Sequence, residues 1–144
     1  MSEGLERFVD AQDGVYERAL EEIRAGCKRT HWMWFVFPQL RGLGRSAQSL
    51  RFGIDGLDEA RRYLAHPLLG PRLEEATRCV LASGGPPARI FGALDGMKFV
   101  SCMTLFAQAS PPGSVFHQAL ARFAAPDPST LALLAREAGG GRSG

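Results

Sequence analysis

Cysteine is scarce and badly spaced in this chain of 144 residues: Cys27, Cys79 and Cys102 are odd in number and include no Cys-x-x-Cys pair. That pattern gives little support to a disulfide framework or a zinc site, and all three are predicted to be small apolar core residues. No metal or cofactor is expected. Neither sign of charge dominates, since 17 Lys+Arg against 15 Asp+Glu leave a net +2. That is too little for an extended nucleic-acid surface. The longest apolar stretch, Trp32 to Pro38, falls far short of the roughly 20 residues that cross a bilayer as a helix. Residues Met1 to Asp10 lack the basic start and apolar run of a secretory signal, so a cytoplasmic location is expected. Also missing are a P-loop, a GxGxxG segment, HExxH and GxSxG. Without them there is no support for nucleotide triphosphate hydrolysis, Rossmann redox chemistry, zinc proteolysis or serine hydrolase chemistry.

Hydrophobic residues at 45% and charged residues at 22% suit one soluble globular domain. Leu5, Phe8, Val9, Gln12, Tyr16, Ala19, Leu20 and Ile23 recur at helical spacing, with Glu and Arg on the other face, which predicts one amphipathic helix ending near Gly26. Thr30 is placed to cap a short helical turn from His31, although the run Trp32 to Phe37 also fits a buried strand. Proline and glycines make Pro38 to Gly56 a structured loop. Helices are then predicted after Asp55 or Gly56, from Pro67 to Ser83, from an Asp95 cap through Phe106, from Val115 to Phe123, and after Asp127-Pro128. No stretch alternates with period two for long enough to form a sheet. The prediction is therefore an all-α fold: a single multihelical domain of about six or seven helices over residues 1–138, with a flexible tail over 139–144.

Two segments concentrate chemistry. In the first, His31, Trp32, Trp34 and Gln39 lie within one apolar run. The indoles suit a stacking wall or the core, and the histidine suits ligand contact, proton transfer or a structural role. Gln39 and Arg41, followed by Gly42 and Gly44, could present donors to an anion such as phosphate, or could form an ordinary turn. Lys28 beside His31 is a second basic contact. In the second segment, Lys98, Ser101 and Thr104 form a polar strip on the most apolar helix, behind Asp95. Asp95 could orient Lys98 toward an anionic or carbonyl-bearing ligand, and a desolvated, neutral Lys98 could attack a sugar C1. Equally, Asp95 could only cap, Lys98 snorkel, and Ser101 and Thr104 bond back to carbonyls.

The run His31 to Leu40 with Gly42-Leu43-Gly44 is followed by Tyr63 to Gly70, then Phe91-Gly92, Asp95, Lys98, Ser101 and Thr104-Leu105-Phe106. This series resembles the bacterial family catalogued as domain of unknown function 1810, over about Leu5 to Leu134. Members are sometimes labelled calpastatin, a name at odds with a compact helical pattern. The resemblance implies a small multihelical cytosolic protein without a settled activity. A looser similarity, in the FG-x-x-D-x-x-K-x-x-S segment, is to the NADAR family, which removes ADP-ribose from modified guanine; motif order and spacing differ, and no catalytic residue is carried over.

Together these readings predict a pocket for a nucleotide-sugar or ADP-ribosyl group. Lys98, Asp95 and His31 would be its catalytic groups, and Trp32, Trp34, Gln39, Arg41, Ser101 and Thr104 would bind. The corresponding reaction would be N-glycosyl hydrolysis. The alternative is a non-catalytic ligand-binding or protein-interaction module.

Overall fold

Gly14, with φ at +74°, stands in the left-handed region that suits a residue without Cβ, and it breaks the first predicted helix in two. α1 (Glu3–Gln12) and α2 (Tyr16–Arg24) result. In the computed structural model the backbone is described over residues 3–143 and the side chains over 4–137. Helices α3 (Met33–Val36), α4 (Ala47–Phe52), α5 (Leu57–Ala65), α6 (Leu69–Ala82), α7 (Pro87–Phe91), α8 (Ala93–Gln108), α9 (Val115–Phe123) and α10 (Pro128–Ser143) complete the order. The protein is all-helical among the described residues, with ten helices in place of the six or seven predicted. The surplus comes from the break at Gly14, from the one-turn α7, and from α4. The last lies inside the predicted loop, where Ser46 accepts a hydrogen bond from the Ser49 N–H at 3.1 Å and so caps it. The tail expected over 139–144 falls on residues whose side chains lie outside the described range.

The remainder of the Pro38–Gly56 segment is held by its backbone. Arg41 N–H donates to the Ile54 carbonyl and Ile54 N–H to the Gln39 carbonyl, both at 2.8 Å, a single parallel bridge between Leu40 and Ile54. Arg7 reaches over from α1 to the carbonyls of Arg51 and Gly53 and pairs with buried Glu59 at 3.3 Å. Glu59 also accepts from Asp55 N–H at 2.8 Å, closing the start of α5.

Helix α8 is the centre. It packs on α3, α5, α7, α9 and α10, and Phe99, Cys102, Met103, Leu105 and Phe106 are all buried. Burial pushes the Cys102 thiol well above its ordinary range. Of the other cysteines predicted for the core, Cys79 is half-buried and Cys27 is exposed, because Cys27 follows the Gly26 turn at the end of α2. Gly92, with φ at +87°, makes the sharp corner from α7 into α8. It is also the N-cap, so Asp95 sits in the first turn and does not cap as predicted.

Candidate functional site

Glu22 organises the site from beneath. Its place on the polar side of the predicted first helix suggests solvent, yet the residue is buried. Its carboxylate accepts from the backbone N–H groups of Arg29 and Thr30 at 2.8 and 3.1 Å, from the Thr30 hydroxyl at 2.7 Å and from the Trp32 indole N–H at 2.9 Å. Burial alone would raise its pKa, but these donors outweigh burial and bring it down to about 2. Thr30 therefore does not cap the following turn; Trp32 is the N-cap, without a side-chain bond. Trp32 is fully buried and is a wedge in the core, edge-on to Phe91 at 6.1 Å.

The 28–34 segment then meets the first turn of α8. Lys28 is tethered through its N–H to the Ile90 carbonyl at 2.8 Å, and its ammonium lies 2.9 Å from one Asp95 oxygen. Lys98 lies 3.1 Å from the other. Burial acts to raise the Asp95 carboxyl, but the two ammonium groups prevail and hold it below the ordinary carboxylate range; the N-terminal end of α8 also favours an anion there. Lys98 further covers the ring of half-buried Trp34 at 4.5 Å. Both contacts engage it as a cation.

Around this cluster lie two adjoining hollows that share Trp34 and Lys98. The first, about 260 Å³, is lined by Lys28, His31, Asp95 and Gln48 with the edges of Trp32 and Met33. The second, about 310 Å³, is lined by Gln39, Leu43, Leu94, Met97, Ser101 and Asp127. Of the predicted site residues, His31, Asp95, Lys98, Trp32 and Trp34 meet at the first hollow, with His31 exposed on its rim. Gln39 and Ser101 join Trp34 and Lys98 at the second.

Arg41 and Thr104 stand apart from both. The Arg41 guanidinium is turned to the Asp55 carboxylate and the Leu50 carbonyl, so the predicted anion loop contributes no guanidinium to either hollow. Thr104 is fully buried; its hydroxyl donates to the Val100 carbonyl and accepts from Asp127 N–H, both at 2.8 Å. Ser101 donates to the Asp127 carboxylate at 2.9 Å, and that carboxylate also accepts from the Thr130 hydroxyl and N–H. Much of the polar strip on α8 thus ties down the start of α10. Replacing Asp127 with alanine is expected to cost about 1–2 kcal/mol, the value of a helix cap, read as a lower urea midpoint.

Among the described residues no cluster of three or more His, Cys, Asp or Glu is arranged to hold a metal, and no helix is long and apolar enough to cross a membrane. Sequence reasoning passed over Glu22, Gln48, Leu94 and Met97. For Glu22 one signal existed, since it adjoins Ile23 and lies three residues from Ala19 on the apolar face.

No curated protein matches the chain. Among solved structures it is similar to the crystal structure of the conserved hypothetical protein Rv1873 from Mycobacterium tuberculosis, with a TM-score of 0.87 and 52% identity over 91% of this chain and 96% of that one. The family model described as protein of unknown function, DUF1810, matches residues 2–134, and the chain belongs to that family.

Proposed function

We propose that the paired hollows bind a nucleotide-sugar or ADP-ribosyl group. The observation that carries this reading is Trp34, an indole shared by two adjoining hollows and covered by an ammonium. An aromatic wall suits stacking, and Lys28 and Lys98 suit phosphate oxygens. The hollows, about 260 and 310 Å³, together reach the range of small-ligand sites, roughly 300–1,000 Å³.

For chemistry, the contacts of Lys98 support an electrostatic role over an amine nucleophile. A carboxylate held as firmly ionised as Asp95 is a weak base; it suits stabilising positive charge that develops at a sugar carbon. His31, on the rim, is the group suited to proton transfer. In N-glycosyl hydrolysis the bond from C1 to nitrogen breaks, water oxygen bonds to C1, and the water's proton ends on the departing base. A second reading, binding without turnover, is favoured by the pairing of both Asp95 oxygens with lysines.

Thermal denaturation with ADP-ribose and nucleotide-sugars tests the binding. Ligand at a hundred times its Kd is expected to add about 2.7 kcal/mol of stability, and Lys98→Ala to weaken affinity about 10- to 100-fold. An unchanged melting temperature across the panel removes the reading. Incubation with an ADP-ribosylated nucleoside separates the two versions: free ADP-ribose, lost in His31→Ala, supports hydrolysis, and stabilisation without product supports a binding module.

A further inference from the structure

Gln39 carries an unmet need. Its side chain is 6% exposed, and Nε2 is the one buried side-chain nitrogen or oxygen among the described residues that has no hydrogen-bond partner. Its backbone is held by the Ile54 N–H on its carbonyl at 2.8 Å, so a turn of the side chain alone brings Nε2 to a partner. A buried amide donor left unpaired is destabilising, and sites that hydrogen-bond a ligand commonly hold such groups ready.

The surroundings narrow what would pair with it. Gln39 lines the second hollow. Leu94 and Met97, 76% and 68% exposed, stand three residues apart on the first turns of α8 and form one flank of that hollow; Leu43 and Trp34 add further apolar wall. Large apolar side chains so exposed are the exception in this molecule, where Leu50 is the remaining one among the described residues. The Asp127 carboxylate there is already engaged by Ser101 and Thr130. Away from Lys98, which it shares with the first hollow, the second hollow offers mainly apolar wall with the Gln39 amide and the Ser101 and Ser129 hydroxyls, a better match for a planar ring bearing a carbonyl oxygen or ring nitrogen than for a phosphate.

We propose that the second hollow is a nucleobase subsite. Gln39 Nε2 donates to an acceptor on the base edge, Leu94, Met97 and Trp34 cover its faces, and the sugar-phosphate passes Lys98 into the first hollow. This rests on the reading of the cleft as a nucleotide-type site and adds to it which end of the ligand lies where.

Calorimetric titration of the full chain with AMP, GMP, UMP, CMP and ribose 5-phosphate tests it, since the last has the sugar-phosphate without a base. At least one nucleoside monophosphate is expected to bind about 10-fold or more tighter than ribose 5-phosphate. Gln39→Leu should erase most of that advantage and leave ribose 5-phosphate affinity unchanged. It removes no hydrogen bond from the ligand-free protein, whose melting temperature should hold or rise. Met97→Ala, at an exposed position, should lower the same advantage severalfold, and Lys98→Ala should weaken all five compounds alike.

Equal affinity for ribose 5-phosphate and every nucleoside monophosphate overturns the subsite and leaves the cleft reading standing. So does a base preference indifferent to Gln39→Leu, the result expected if a water molecule satisfies the amide. Binding of none of the five overturns both.

Discussion

Replacing Glu22 with alanine is expected to destabilise the protein by about 3–5 kcal/mol, the cost of removing one side of a buried charged network. The variant leaves the backbone N–H groups of Arg29 and Thr30 without their acceptor and strands the indole N–H of fully buried Trp32, where water has little access. Urea denaturation should show a much lower midpoint with little change in slope. The wild-type carboxylate also makes stability depend on pH. Its pKa falls from an ordinary 4.5 to about 2 on folding, so the unfolded chain binds the proton more readily. The contribution is complete above the unfolded value of 4.5 and is lost as pH drops toward about 2. By linkage it amounts to roughly 3 kcal/mol. Asp95 is also held below its ordinary range and titrates in the same direction. The difference between wild type and Glu22→Gln, followed from neutral pH downward, isolates Glu22: the gap in midpoint should close in acid. A constant gap would show that the charge contributes nothing.

Phe99→Ala is expected to cost about 3–5 kcal/mol and to lower the melting temperature by roughly 10–20 °C. The ring is fully buried. It meets Phe37 at 5.1 Å, Phe91 at 5.5 Å and Phe123 at 6.2 Å, joining the α3 turn, α7 and α9 to α8. Each contact adds a directional aromatic preference to the area buried. Phe99→Leu, which keeps most of the volume, should cost about 1.5 kcal/mol or less. Calorimetry on both variants checks the order. Similar losses in the two would mean that ring geometry, beyond filled volume, dominates at this position.

Much of the helical order is legible in the sequence because local signals suffice for it. Asp127 before Pro128 and the apolar spacing through Leu69, Leu73, Ala76 and Val80 each act within one or two turns. Misreadings came where one residue admits two local readings. Gly14 could sit within a helix or end one, and the positive φ follows from α2 turning to pack on α6. The glycines after Pro38 suggested only loop, while the Ser46 hydroxyl started a helix among them.

The candidate site was half legible. Clustering of indoles with His31, and of Asp95 with Lys98, depends on neighbours within a few residues, and those groups do meet. Arg41 was misjudged because its partner, Asp55, is 14 residues away across the bridge. Thr104 bonds back to the Val100 carbonyl, the structural role the sequence also allows, while its second partner, Asp127 N–H, is 23 residues away and carries no local signal.

By itself the amino-acid order determined the all-helical class, the apolar character of α8 and the polar residues available to a cleft, since helical periodicity and capping are short-range properties of the chain. Only the tertiary structure decided that Glu22 is buried, that Lys28 and Lys98 grip opposite oxygens of Asp95, and that Gln39 is left without a partner. Burial and hydrogen-bond satisfaction depend on which distant segments close over a side chain, and residue spacing carries no record of that.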